Sequence, residues 1–101
     1  MEQLEFVDAI FNSAQSAGLN VWINRNGDRQ VDFGNKSLTD DYVRRLYQDI
    51  RRKKNTYTQD DFKQLVAGRP CAVAPFFRIA QSAGLCSEGL EGSRKIYRFS
   101  I

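Results

Sequence analysis

The sequence predicts one α+β domain of four helices and two β-hairpins, in the order helix, hairpin, helix, helix, helix, hairpin. Three observations predict it. Apolar residues recur at helical spacing in four stretches, each near a capping residue or a glycine stop. Two hairpin signals stand out: strand-like runs that flank Asn26-Gly27, and a glycine-tipped stretch within Cys86–Phe99. The chain has 101 residues, 42% of them hydrophobic and twelve aromatic, which suits one packed core and is too short for two.

The first helix is expected over residues 3–17. Leu4, Val7, Ile10, Phe11 and Ala14 form one apolar stripe. Gly18 stands where a left-handed cap belongs, and Glu2, Glu5 and Asp8 suit the positive N-terminal end. Asn20–Arg25 and Asp28–Phe33 then flank Asn26-Gly27, a pair that favours a two-residue type I′ turn. That turn sets Trp22 opposite Val31 and Asn24 opposite Arg29. Trp22, Val31 and Phe33 then face the core, and Val21 and Ile23 point outward as a candidate partner surface.

After the linker Gly34-Asn35-Lys36-Ser37, Ser37 or Thr39 can cap a second helix with Asp40 and Asp41 in its first turn. Leu38, Tyr42, Val43, Leu46 and Ile50 supply its buried stripe. It ends in Arg51-Arg52-Lys53-Lys54, which completes the helix dipole or forms a phosphate-contacting cluster with Arg44 and Arg45. Thr58 caps a short third helix from Gln59 to about Val66, with Phe62, Leu65 and Val66 inward. Ala67-Gly68-Arg69-Pro70 makes a turn. The fourth helix follows and runs to about Ala83, with Gly84 as its cap; Pro75 is tolerated about a turn in if the helix begins at Cys71 or Ala72, and kinks it if the helix begins earlier. A glycine-tipped hairpin closes the chain.

Residues 7–19 and 73–85 align without a gap. Val, Phe, Ala-Gln-Ser-Ala and Gly-Leu recur, and the same offset matches Val31 with Tyr97 and Phe33 with Phe99. This is an internal helix–hairpin repeat, expected from duplication or local pseudo-symmetry. It divides the single domain into an N-terminal unit, residues 1–35, and a second unit, residues 38–101.

Chemistry-bearing constellations are sparse. Without histidine the commonest general base is missing, and no glycine-rich loop joins a strand to a helix, so no enzyme activity and no cofactor are expected. Asp40-Asp41 and Asp60-Asp61 sit where helix N-termini favour negative charge. Cys71 and Cys86, separated by a helix, are held roughly 20 Å apart at 1.5 Å per residue, too far for a disulfide, and no metal site is expected. Met1–Glu5 is acidic and polar, unlike a secretory or transit segment, so a cytoplasmic location is expected.

Net charge is +3 and unevenly spread. Residues 1–35 carry two arginines and five acids; residues 36–68 carry eight bases and five acids; residues 69–101 carry five bases and two acids. A basic second unit behind an acidic front is compatible with nucleic acid.

The order of capped helix, turn, helix ending in Ala-Gly-Leu and glycine-tipped hairpin over residues 38–101 resembles the winged helix-turn-helix superfamily. The resemblance implies that the helix before the hairpin enters the major groove while the wing touches phosphate or the minor groove. Val73, Phe76, Phe77, Ala80 and Leu85 match the core-facing set. Arg69, Ala72, Ala74, Pro75 and Arg78 match the outward positions. Arg94, Lys95 and Arg98 lie in or beside the wing, and Tyr57-Thr58 match the capped entry. The outward positions are mostly small or apolar, and the wing carries Glu88 and Glu91, so phosphate contact is expected without strong base selectivity. The resemblance implies a small duplex-DNA-binding protein, a transcriptional regulator or an accessory factor of the phage or plasmid kind. The alternative is a protein-binding module, an inhibitor or adaptor that docks a partner through Val21 and Ile23 or through Ala72, Ala74 and Pro75. A homodimer suits either, because the repeat favours a symmetric or pseudo-symmetric partner.

Overall fold

A capping box starts α1, Gln3–Ser16: the backbone N–H of Glu2 donates to Glu5 Oε1 at 3.3 Å. The computed structural model describes residues 1–33, 36–65 and 73–101. Phe6, Val7, Ile10, Phe11 and Ala14 are buried along α1. Leu4 is not part of that stripe, being 68% exposed; Phe6 takes its place. The stripe therefore starts two residues further along and turns toward Tyr47, whose ring lies 5.4 Å from that of Phe6.

The first hairpin corrects the sequence reading. Strands β1, Asn20–Ile23, and β2, Arg29–Phe33, pair with Val21 opposite Val31 and Trp22 opposite Gln30, one residue away from the type I′ register. The cause is Asn24. Its Oδ1 accepts from the N–H groups of Asn26 at 2.9 Å and Asp28 at 3.1 Å, and its own N–H donates to the Asp28 carbonyl. This Asx-type closure leaves only Gly27 in the left-handed region, with φ +81°, and makes a longer turn. A one-residue slip exchanges the two faces. Val21 joins Val31 and Phe33 on the core side, and Trp22 faces outward, 42% exposed, donating Nε1–H to Asp32 Oδ2 at 2.8 Å.

A third strand, β3, Lys36–Thr39, pairs with β2 and includes residues expected as linker. Leu38 is buried from this strand, not from a helix. Thr39 then caps α2, Asp40–Arg52, accepting from the Tyr42 N–H. Val43, Leu46 and Ile50 are buried along it, with Tyr42 only half-buried. Arg29 ties this half together: it pairs with Asp8 of α1 at 2.8 Å and Asp40 of α2 at 3.1 Å, over the Phe11 ring.

Lys54 and Asn55, with φ of 57° and 65°, turn the chain from α2 into β4, Thr56–Tyr57. Helix α3, Gln59–Leu65, carries a reciprocal cap in which Thr58 N–H donates to Asp61 Oδ2 and Asp61 N–H donates to Thr58 Oγ1. The expected inward roles of Leu65 and Val66, like the turn at residues 67–70, lie outside what is described. Helix α4, Val73–Ser82, leads to β5, Cys86–Glu91, and β6, Arg94–Phe99. The sheet order is β4-β6-β5, so the closing hairpin also gains a third strand. Among the described residues the fold is thus four helices and two three-stranded antiparallel sheets, not two isolated hairpins.

The two helix ends at the repeat offset close alike. Leu19 N–H donates to the Ala14 carbonyl at 3.1 Å and Leu85 N–H to Ala80 at 3.0 Å. Gly18 and Gly84 take φ of 83° and 74°. The helices meet at equivalent positions, where Ser13 Oγ donates to the Ile79 carbonyl 66 residues away. The hairpins differ: β5 and β6 join through a two-residue turn, Gly92-Ser93, between Glu91 and Arg94.

Replacing Phe6 by alanine should cost about 3–5 kcal/mol in urea denaturation, while Leu4→Ala should stay within about 0.5 kcal/mol. Equal losses at both positions would contradict the observed face of α1.

Candidate functional site

Helix α4 divides cleanly. Val73, Phe76, Phe77, Ile79 and Ala80 are buried. Phe77 stacks on Tyr97 with centroids 3.7 Å apart and planes within 3°, and Phe76 stacks on Phe62 at 5.3 Å. Leu85, just beyond the helix, is buried too. These contacts fix the helix about its axis, so Ala74 and Arg78 are exposed and Pro75 half-buried, as the sequence pattern expects. Pro75 is the third residue of the described helix and interrupts no hydrogen bond there. No acid lies on α4, and Arg78 has no carboxylate partner among the described residues. Arg69 and Ala72, expected beside it, lie outside those residues, as does Cys71.

Beside α4 runs a cleft of about 420 Å³. Pro75, Arg78, Ile79 and Ser82 form one wall; Ser13, Ala17, Leu19 and Phe33 form the other. Its walls are mostly apolar, with Arg78 as the charged group. The sequence did not show this cleft, because it arises from the packing of α1 against α4.

The candidate cations of α2 are largely engaged. Arg44 pairs with Asp40 at 3.1 Å and Asp28 at 3.6 Å, and Arg45 with Asp41 at 2.9 Å. Within 51–54, each side chain goes its own way. Arg51 lies over the Tyr47 ring, Arg52 pairs with Asp49, and Lys53 pairs with Asp61 at 3.0 Å. Lys54 is exposed, with no carboxylate partner among the described residues. The run is a helix terminus with divided partners, and Arg44 is drawn toward the first hairpin rather than toward it.

On the closing hairpin, Arg94 reaches Asp60 of α3 at 3.4 Å, and Lys95 reaches Glu88 across the strands at 3.4 Å. Arg98 stands opposite Thr56 and Ser87. Its guanidinium occupies the space a side chain would need at Gly89, 2.7 Å from where a Cβ would stand. Of the surface proposed for partners, Ile23 is 62% exposed, whereas Val21 packs partly against the core.

Three titrating groups are displaced. Burial, then the hydrogen bond from its hydroxyl to Asp49 Oδ2 at 2.6 Å, raises Tyr57 above the usual phenol range. Burial alone would raise Asp61, but the Thr58 N–H, the Lys53 ammonium and the Thr58 hydroxyl outweigh it and lower this carboxyl. Burial, then Glu88, pushes the Cys86 thiol up to about 12, so it is no nucleophile at neutral pH. Among the described residues no group of three or more carboxylates or thiols is arranged to hold a metal ion, and no helix is long and apolar enough to cross a membrane.

Comparison with protein-family models, with curated proteins and with solved structures gave no match to this chain.

The displaced groups make stability depend on pH, and Cys86, held protonated by burial, loses its contribution as pH rises above the ordinary thiol range, on the same side as Tyr57. Tyr57 binds its proton more tightly folded than unfolded, so its contribution is full below about pH 10 and is lost as pH rises further. Asp61 behaves oppositely: its contribution is full above about pH 4 and is lost as pH falls. Urea midpoints should therefore decline in both directions, and Tyr57→Phe should flatten the alkaline limb while Asp61→Asn flattens the acid one. Unchanged limbs in both variants would contradict these assignments.

Proposed function

We propose that residues 38–101 form a winged-helix-type unit that binds duplex DNA with little base selectivity, as a small regulator or an accessory factor of the phage or plasmid kind. The order α2-β4-α3-α4-β5-β6 and the sheet order β4-β6-β5 support this architecture. The observation that carries the functional reading is the outward face of α4: one arginine with no carboxylate partner among the described residues, no acid on the helix and small neighbours, on the helix before the hairpin. In this reading Arg78 approaches the groove, while Arg98, Lys54 and Arg51 meet phosphates. Ala74 can touch a thymine methyl but reads little else. Arg69 keeps its role on the sequence alone.

Arg44, Arg45, Arg52, Lys53, Arg94 and Lys95 contribute by exchanging a carboxylate for a phosphate. The exchange is inexpensive for the exposed pairs of Arg45, Arg94 and Lys95, since such pairs are worth only about 0–1 kcal/mol, and costs more for Arg44, Arg52 and Lys53, whose carboxylates are largely buried. The N-terminal unit is then a second helix–hairpin copy packed beside the first, a reading supported by the equal caps at Gly18 and Gly84. In this reading the protein acts in the cytoplasm.

A second reading rests on the apolar cleft between α1 and α4, which suits an inhibitor or adaptor holding a protein segment. Salt separates the two, since phosphate contacts release counterions and apolar contacts do not. Fluorescence anisotropy against random-sequence duplex should give binding at low salt. Its log affinity should fall against log salt with a slope at least as steep as about −4, the value for the four cations that have no carboxylate among the described residues, and steeper as the paired cations join. Charge reversal at Arg78 and Lys95 together should abolish that binding in a chain that still folds. Undiminished affinity in the folded double variant would overturn the site, and no binding at low salt would overturn DNA as the ligand.

A further inference from the structure

Among the described residues, β1 is the one edge strand longer than two residues that carries no charge. Edge strands invite further pairing, and proteins commonly guard them with charged side chains, proline or bulges. Strand β5 carries Glu88 and Glu91, β3 begins at Lys36, and β4 has only two residues. Strand β1 reads Asn-Val-Trp-Ile, with Trp22 and Ile23 exposed.

We propose that this chain forms a homodimer by antiparallel pairing of β1 with β1 of a second copy, about a twofold axis at Trp22. The backbone fixes that register. Asn24 N–H donates inward to Asp28, so by alternation Asn20 and Trp22 also face β2, while Val21 and Ile23 present their N–H and C=O groups outward. Centring the axis on Trp22 sets Val21 opposite Ile23 of the second copy, and Ile23 opposite its Val21. All four outward groups on each strand are then used. Centring it on Val21 would require the Leu19 N–H, which is already bonded to the Ala14 carbonyl at 3.1 Å.

Side chains and charge agree with that choice. Ile23 is covered by Val21 of the second copy on the core side, and the two Trp22 rings meet on the other. Asn20 lies opposite Asn24 of the second copy, and β1 carries no charged residue, so no like charges meet across the pairing. Six strands then run continuously as β3-β2-β1-β1-β2-β3. The interface is small, so the dimer dissociates on dilution. It does not depend on the DNA reading, and neither fails with the other.

Sedimentation equilibrium of the intact chain from micromolar to millimolar concentration should show a monomer–dimer equilibrium. Ile23→Lys should remove it without lowering the thermal midpoint, because Ile23 is exposed. Register is read by crosslinking in a background with Cys71 and Cys86 changed to serine. Trp22→Cys should oxidise to a dimer at least about tenfold faster than Asn20→Cys, since only position 22 faces itself within disulfide range. A monomer throughout would overturn the proposal, as would equal crosslinking at positions 20 and 22.

Discussion

Everything offered to solvent by α4 depends on how the aromatic cluster holds its other face. Phe76 and Phe77 lock against Phe62 of α3 and against Tyr97 and Phe99 of β6. Aromatic pairs at these separations contribute about 0.5–1.5 kcal/mol each beyond the area they bury. The nearly parallel Phe77–Tyr97 stack leaves little freedom to rotate. Ala74 and Arg78 are therefore outward, and Pro75, Ile79 and Ser82 turn toward α1. The same cluster reaches α1 through Phe6, whose ring lies 6.3 Å from Phe99. One set of rings thus sets both the face that would meet DNA and the cleft beside it.

A second constraint works through Tyr57. Its buried hydroxyl holds Asp49, so the two-residue β4 is fixed to α2 as well as to β6. Asp49 also holds Arg52, and Asp61 holds Lys53 while capping α3. The basic end of α2 is thus built into the junction of α2, β4 and α3. Its charges are partly spent on the fold, leaving Lys54 and Arg51 as the members without a carboxylate among the described residues.

Much of this could be read from the residues. Glycine stops after Ala17 and Ala83, the Thr39 and Thr58 caps and the Phe76-Phe77 core face are local signals, and local geometry honours them. The failures come from interactions that spacing does not encode. Asn26-Gly27 argued for a two-residue turn, but the Asn24 side chain captured the turn first and moved Trp22 to the other face. Lys36–Thr39 resembles a linker because its strand character comes from pairing with β2. Leu4 and Phe6 both fit a helical stripe of sorts, and the neighbours Tyr47 and Phe99 decide for Phe6. Ion pairs divide the same way. Asp40–Arg44 and Asp41–Arg45 have i,i+4 spacing, yet the sequence reading offers both arginines to phosphate instead, whereas Arg94–Asp60 and Lys53–Asp61 exist only once the chain has folded.

The most direct test of the DNA reading is to follow backbone amide resonances of the intact chain while random-sequence duplex is added at low salt. The account predicts shifts concentrated on Ala74–Arg78 of α4 and on β6 around Arg98, with the cleft wall at Ala17 and Leu19 unmoved. Shifts confined to that cleft wall, or none at all, would contradict it.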